Sequence, residues 1–295
     1  MGLGEFLSLL CALLWAFAVI FYKRAGDHFN AYEMNLFKSA FVLLLMIPTV
    51  LLTDGSTIPA MSHYQFWIIM FSGFIGIMLA DLFYLRALQL IGASLTGITG
   101  SLYSPFVVVL SLLFLGEYLQ FWQYVGMILV LAGVVLVGYR RKSLAKEHPP
   151  IRGFVYATLA VFFTALGIVI IKPVSNEMPF FWVILIRSFG GFITMVMYGL
   201  ILRKPLSILH IVRAKGGHWL ILGTFIGQYL SMMVWIAGYK YTSASIASIL
   251  NETASIFILI LSWLMLGEHL TKRKIWGVVV TISGVLLVLS INTSP

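Results

Sequence analysis

Apolar segments long enough to cross a lipid bilayer occupy most of this 295-residue chain. A helix needs about 20 apolar residues to cross roughly 30 Å of hydrocarbon. Segments of about that length lie at 4–22, 32–52, 65–87, 93–115, 120–139, 152–172, 179–202, 217–239, 244–266 and 273–291. Hydrophobic residues make up 61% of the sequence and charged residues 10%, and a water-soluble fold of that composition would expose large apolar patches. We therefore predict an all-α, polytopic membrane protein with ten transmembrane helices.

The net charge of +9 comes from short basic runs between the apolar segments. No basic face with interleaved aromatic residues is present, so the charge does not indicate a nucleic-acid partner. Cations in the loops of a membrane protein instead orient the chain in the bilayer. Cys11 is the only cysteine and cannot form a disulfide or a thiolate metal site within one chain. The sequence has neither a G-x4-G-K-[ST] phosphate loop nor an H-E-x-x-H motif, so we expect no cofactor and no metal.

The two halves of the chain are similar to each other. A shift of 151 residues superimposes Gly76 on Gly227, Ala93-Ser94 on Ala244-Ser245, Ser104 on Ser255, Gly116-Glu117 on Gly267-Glu268, Gly126 on Gly277 and Gly133 on Gly284. A shift of 149 places Lys38 on Arg187. Chance similarity between apolar helices would match Leu and Val, not Gly, Ser and Glu. We predict two five-helix repeats, at 1–140 and 152–295, joined by a basic loop at 141–151.

Equivalent loops of the two repeats differ in how many cations they carry. The loop after Glu117 has no Lys or Arg, whereas the loop after Glu268 has three cations, at 272–274. Five is an odd number of spans, so the second copy must enter the membrane inverted. The predicted topology places 15 Lys and Arg residues on one side and two, Lys172 and Lys240, on the other. The positive-inside rule makes the first side cytoplasmic, which puts both termini outside the cytoplasm.

Two copies of Leu-Gly-Glu, at 115–117 and 266–268, end spans that begin with Ala-Ser. Each is followed by two glycines seven residues apart. Together with the basic pair Lys38 and Arg187 and the run 80–88, these motifs resemble the drug/metabolite transporter superfamily, in the ten-helix branch built from two EamA-type repeats. The resemblance implies a transporter of small solutes such as amino acids, nucleotide-linked metabolites or drugs. Members are usually described with both termini in the cytoplasm, the reverse of the orientation that the loop charges indicate.

Four ionisable residues lie within predicted spans: Lys38, Asp81, Arg187 and Glu252. Such groups usually face a polar cavity or pair with one another. Glu252 lies nine residues into the span 244–266, which places it near the bilayer midplane. We interpret Glu252 and Asp81 as candidates for proton or cation coupling. Lys38 and Arg187 are candidates for binding a carboxylate or phosphate of the substrate. The alternative is that these four residues only form ion pairs inside the bundle.

Aromatic and polar residues within the spans extend the candidate substrate site. They are Trp15, Tyr84, Tyr103, Gln228, Asn251 and Ser255. Packing or lipid contact is the alternative role for each aromatic residue. The Gly-Glu pairs, Gly116-Glu117 and Gly267-Glu268, end spans at loops, and we interpret them as a structural motif that fixes loop geometry.

These patterns favour a secondary active transporter over an enzyme. We expect it to export a small polar or zwitterionic metabolite, such as an amino acid, by alternating access in the plasma (inner) membrane. Its partners would be the substrate, the lipid bilayer and a coupling proton or cation. The sequence leaves open whether the protein forms a homodimer. The rival functions are an intramembrane enzyme acting on a lipid-linked substrate and a non-transporting membrane sensor or assembly factor. No catalytic pair with a recognisable spacing supports the enzyme.

Overall fold

The computed structural model describes residues 2–55, 57–138, 150–206, 208–266 and 272–290, and every regular element in those ranges is helical. The α-helices are α1 (Leu3–Ala25), α2 (Ala31–Thr53), α3 (His63–Gly73), α4 (Ala80–Gly100), α5 (Tyr103–Leu115), α6 (Phe121–Gly138), α7 (Ile151–Glu177), α8 (Phe180–Ile201), α9 (Leu209–Arg213), α10 (Gly217–Gly223), α11 (Ser231–Tyr241), α12 (Ala244–Asn251), α13 (Ala254–Leu266) and α14 (Lys272–Ser290). Two π-helical turns, Phe74–Leu79 and Thr224–Leu230, connect α3 to α4 and α10 to α11 without a break in the helix.

Helical segments match the apolar pattern of the sequence. Among the described residues, seven helical stretches are long and apolar enough to cross a membrane: Leu3–Ala25, Ala31–Thr53, His63–Ile91, Ile151–Glu177, Phe180–Ile201, Gly217–Tyr241 and Ala244–Met265. Three shorter apolar helices are Tyr103–Leu115, Phe121–Leu136 and Ile275–Ser290. The predicted all-α membrane architecture is therefore confirmed, whereas helix length alone supports seven crossings and not ten.

Helix breaks lie at different positions from those predicted. The expected boundary between the segments 65–87 and 93–115 is absent, because helical backbone continues to Gly100 and the break follows at 101–102. The segment 244–266 is also interrupted, at 252–253. There the backbone N–H of Thr253 bonds the carbonyl of Leu250, three residues back, which tightens the chain into a 3₁₀ turn. The 151-residue shift superimposes the two breaks, so each repeat has one discontinuous helix.

Polar side chains form hydrogen bonds between helices at both ends of the bundle. At one end the side chains of Glu5 and Lys172 both bond Thr242. At the other end Arg86 bonds the Tyr198 hydroxyl and Arg24 bonds the carbonyl of Met265. The second end carries most of the loop cations, so we call it the basic end and the first one the cation-poor end.

Glycines allow the last helices of the two repeats to approach closely. A Cβ atom on Gly284 of α14 would lie 2.6 Å from the carbonyl oxygen of Gly126 on α6. A Cβ atom on Gly133 would lie 2.6 Å from the carbonyl oxygen of Gly277. Contacts this short leave no room for a side chain, and backbone approach of this kind is how membrane helices gain packing energy without a hydrophobic driving force. The Gly-x6-Gly pairs thus hold the two repeats together.

Substitution of Gly284 by Leu should lower the free energy of unfolding by about 1–3 kcal/mol, because the added side chain overpacks the contact between α6 and α14. Thermal unfolding in detergent micelles measures the effect. Gly100→Ala is the matched control, since a Cβ atom at Gly100 meets nothing within 4 Å. An unchanged melting temperature in Gly284→Leu would show that this contact does not need close backbone approach.

Candidate functional site

A cavity of about 240 Å³ lies in the centre of the bundle, between the two repeats. Its wall includes all of the predicted substrate-site residues except Lys38: Trp15, Asp81, Tyr84, Tyr103, Arg187, Gln228, Asn251, Glu252 and Ser255. The same wall contains the apolar side chains of Ile77, Val161, Met232 and Ile258. The sequence therefore located the residues of one common cavity, although it could not show that they meet.

Both π-helical turns contribute residues to the wall of this cavity. Gly76 in the first turn and Gly227 in the second both line it. A Cβ atom on Gly76 would lie 2.5 Å from the Nη2 atom of Arg187, so glycine leaves the space that the guanidinium occupies. Irregular helical turns of this type are frequent at functional sites. The sequence analysis missed this role, because a glycine that makes room for a distant side chain looks the same as a packing glycine.

Lys38 lies behind the cavity wall and pairs with Asp81. The Lys38 Nζ atom is 2.9 Å from the Asp81 Oδ2 atom, and both residues belong to the first repeat. The Lys38 side chain is 1% exposed and the Asp81 side chain 15% exposed. The Nζ atom also lies 4.9 Å from the centre of the Tyr22 ring, at cation–π distance. Of the two alternatives for Lys38, the structure contains the ion pair.

Arg187 is a buried cation held by uncharged groups. Its side chain is 1% exposed. The Nη1 atom donates to the Ser72 hydroxyl and, at 3.1 Å, to the carbonyl oxygen of Gly167. The guanidinium carbon lies 5.6 Å from the centre of the Trp235 ring. No carboxylate in the described part of the chain forms an ion pair with Arg187, and its Nε atom has no hydrogen-bond partner there.

Glu252 sits at the break between α12 and α13 and reaches across to the other repeat. Its Oε1 atom accepts a hydrogen bond of 3.2 Å from the backbone N–H of Ser104, in the first turn of α5. Glu252 is 7% exposed, and no cation in the described ranges pairs with it. The side-chain amide of the neighbouring Asn251 likewise finds no hydrogen-bond partner of normal geometry among those residues. The break thus presents an acid and an amide to the cavity.

Aromatic rings complete the wall. The rings of Trp15 and Tyr84 are tilted against each other with centres 6.1 Å apart. The hydroxyl of Tyr103 on α5 bonds the hydroxyl of Tyr239 on α11, a contact between the repeats directly beside the cavity. These rings give the site flat apolar surfaces around few polar groups, which is the usual make-up of a small-molecule site.

Gly116 and Glu117 follow α5 at the cation-poor end. Gly116 has a φ angle of +65° and ends α5 in the left-handed region that glycine adopts without strain. Glu117 was interpreted as a loop-fixing residue, but its carboxylate contacts the second repeat. The backbone N–H groups of Ala244 and Ser245 each donate to it at 3.2 Å, and the Lys172 Nζ atom lies 3.0 Å away. The equivalent Gly267 and Glu268 lie outside the described residues.

The comparisons with known proteins decide the class of this membrane protein. The model of the EamA-like transporter family matches residues 2–139 and again residues 151–290. The chain belongs to the EamA-like transporter family. An uncharacterized transporter of Archaeoglobus fulgidus is 24% identical over 286 residues, with 96% of both chains covered. A solved crystal structure shares the fold, with a TM-score of 0.78 at 15% identity, and covers 97% of this chain and 98% of that chain.

These findings confirm the resemblance that the paired Leu-Gly-Glu motifs indicated. The protein is an integral, multi-pass membrane transporter whose family model matches each half once. Family membership also favours a transporter over the intramembrane enzyme that the sequence analysis kept as a rival. The cavity between the repeats is accordingly the candidate substrate site of this EamA-like transporter.

Removal of one partner of the Lys38–Asp81 pair should strongly destabilise the protein, because the remaining charge stays buried without a counter-charge. We expect Lys38→Met to lower the free energy of unfolding by roughly 3–5 kcal/mol. The double variant Lys38→Met/Asp81→Asn should recover most of this loss. Thermal unfolding in micelles measures both. Strictly additive losses in the double variant would contradict a direct pair.

Proposed function

We propose that this EamA-like transporter is a secondary active exporter of a small zwitterionic metabolite, of which an amino acid is the simplest example. The observation that carries the proposal is the pair Arg187 and Glu252. They are a buried cation and a buried acid, they line one cavity, and neither has an ion-pair partner among the described residues.

The cost of burying charge is the physical argument. A charge taken out of water loses several kcal/mol unless an opposite charge and hydrogen bonds compensate it. A zwitterion supplies both compensating charges at once. Its carboxylate fits the planar fork of Arg187, and its ammonium group fits Glu252 beside the side-chain amide of Asn251. The volume of about 240 Å³ lies below the range of about 300–1,000 Å³ for drug-sized pockets, which favours a small metabolite.

Glu252 is also the better of the two candidates for ion coupling. Asp81 is engaged by Lys38, whereas the Oε2 atom of Glu252 accepts no hydrogen bond among the described groups. A proton and a substrate ammonium group would compete for this carboxylate. If protons enter as substrate leaves, that competition drives export along an inward proton gradient. Coupling through Glu252 and outward transport are both parts of the proposal.

Alternating access between two inverted five-helix repeats, at 1–140 and 152–295, would carry the substrate across. The ten predicted spans, the equivalent helix breaks and the contacts between the repeats support this mechanism. We place the protein in the plasma (inner) membrane with both termini outside the cytoplasm, as the loop charges indicate. The cavity wall extends from the break at Glu252 toward Tyr84, two residues before Arg86 at the basic end. We therefore interpret this conformation as inward-facing.

Glu252→Gln and Arg187→Gln should each lower substrate flux into proteoliposomes at least tenfold, because each leaves one charge of the bound zwitterion unpaired. Glu252→Gln should also abolish the response to an imposed pH gradient. Glu177→Gln is the matched control, since Glu177 is an exposed acid that bonds only Gln65 among the described residues. Retained flux and pH response in Glu252→Gln would remove this residue from the mechanism.

The substrate for that assay comes from a thermal-shift screen of purified protein against amino acids, since a ligand of the folded state raises apparent stability. Each ligand found is compared with its methyl ester and its N-acetyl derivative. The proposal requires both derivatives to bind more weakly, because each removes one of the two charges. An ester that stabilises the protein as well as the free acid would contradict the role of Arg187.

A reversible disulfide across the cation-poor end should stop transport. The hydroxyl oxygens of Ser111 on α5 and Ser245 on α12 are 2.8 Å apart, so cysteines at these positions lie within bonding reach. In the variant Cys11→Ser/Ser111→Cys/Ser245→Cys, oxidation should abolish flux and reduction should restore it. The two single-cysteine variants are controls. Full flux in the oxidised protein would show that the repeats do not separate at this end.

A further inference from the structure

A connected set of polar contacts joins the two repeats at the cation-poor end. We call it the Glu117 network, and it comprises Glu5, Glu117, Lys172, Thr242, Ala244 and Ser245. Glu117 accepts from the backbone N–H groups of Ala244 and Ser245 and pairs with Lys172. Lys172 also donates to the carbonyl of Thr242 at 2.6 Å, and the Thr242 hydroxyl donates to Glu5 at 3.0 Å. The contacts of the Glu117 side chain with Ala244, Ser245 and Lys172, and the bond from Thr242 to Glu5, each connect the first repeat with the second.

The carboxylate of Glu117 occupies the N-terminal end of α12. The first backbone N–H groups of a helix have no partner within that helix, and the helix dipole places partial positive charge there. The Ser243 hydroxyl accepts from the N–H of Ile246, and Glu117 satisfies the preceding two N–H groups. Lys172 adds a full positive charge on the same carboxylate. Glu117 therefore makes three charge-assisted contacts with the opposite repeat.

Between this network and the cavity the chain is tightly packed. Ser111 on α5 and Ser245 on α12 bond each other, and Val107 and Ser248 on the same two helices are fully buried. Among the described residues, the cavity wall includes nothing from α5 beyond Tyr103 and nothing from α12 before its last residue, Asn251. Separation of α5 from α12 would open the cavity at the cation-poor end.

We propose that Glu117 and Lys172 form the gate of that end, closed in this conformation and broken when the transporter opens outward. The inference rests on the alternating-access function proposed above. The carboxylate holds the N-terminus of α12 and Lys172 against the end of α5, and movement of the two repeats apart breaks all three contacts together.

The position of the gate near the surface makes it reversible. The side chains of Glu117 and Lys172 are 18% and 12% exposed, so water can replace their contacts as they separate. Charge pairs near a protein surface contribute far less than buried pairs, because the local dielectric constant is higher. Arg187, by contrast, is only 1% exposed. Glu117 thus biases the equilibrium between the two conformations without locking it.

The test measures how often the cation-poor end opens. Cys11→Ser removes the only native thiol, and Ser248→Cys places a new one between the gate and the cavity, where it is buried in the closed state. The rate of maleimide labelling in detergent micelles then reports opening without any substrate. Glu117→Gln should raise this rate about tenfold and Lys172→Met several-fold, within the range of typical conformational coupling. Lys240→Met is the control, because Lys240 lies at the same end and its Nζ atom lies 6.0 Å from the centre of the Phe180 ring.

Each outcome decides the matter. Faster labelling in Glu117→Gln and Lys172→Met but not in Lys240→Met supports the gate. An unchanged rate in Glu117→Gln, or an equal rise in Lys240→Met, overturns it. Labelling is measured well below the melting temperature of every variant, so global unfolding does not contribute. Because this assay needs no substrate, failure of the gate is distinguishable from failure of the proposed transport activity, which the flux assay measures.

Discussion

The cost of placing charge in a low-dielectric interior governs this molecule. A charged side chain within a bilayer persists only where a partner or a polar cavity compensates it. Lys38 and Asp81 compensate each other at 2.9 Å, and Glu117 and Lys172 do so at 3.0 Å. Arg187 instead donates to an uncharged carbonyl group, Glu252 accepts from an uncharged backbone N–H group, and both residues line the cavity. The same constraint therefore separates two ion pairs within the protein from two charges that the proposed substrate would compensate.

Residue patterns predicted much of this architecture for simple reasons. Apolar length marks a membrane helix, because the bilayer fixes how far the chain must run. The coincidence of Gly116-Glu117 with Gly267-Glu268 exposed the repeat, and the family match to both halves agrees with it. Ionisable residues within spans are expensive, so Lys38, Asp81, Arg187 and Glu252 stood out as site candidates. Lys38 lies behind the cavity wall, paired with Asp81. The other three, Asp81, Arg187 and Glu252, line the central cavity.

Contacts between distant segments could not be predicted from the sequence. Nothing in the run around Glu117 shows that its carboxylate bonds the start of α12, 127 residues further along the chain. The helix break at 252–253 escaped notice because neither Pro nor Gly marks it, and its Glu252 side chain bonds the backbone N–H of Ser104 beside the break at 101–102. Gly76 resembled any packing glycine until the guanidinium of Arg187 was found beside it. Each of these features depends on a partner from the other repeat.

Positions at which the two repeats differ distinguish the residues of the candidate site better than the positions at which they agree. The shift of 149 places Lys38 on Arg187, but the shift of 151 places Asp81 on Met232. The acid that neutralises Lys38 in the first repeat is thus replaced by a thioether in the second, and Arg187 keeps its charge without that partner. Glu252 falls on Ser101, so the acid at the second helix break also has no acidic counterpart in the first repeat. Among the described residues, these two departures from the symmetry leave one cation and one acid without an ion-pair partner around the same cavity. That arrangement is the one that the proposed zwitterionic substrate would compensate.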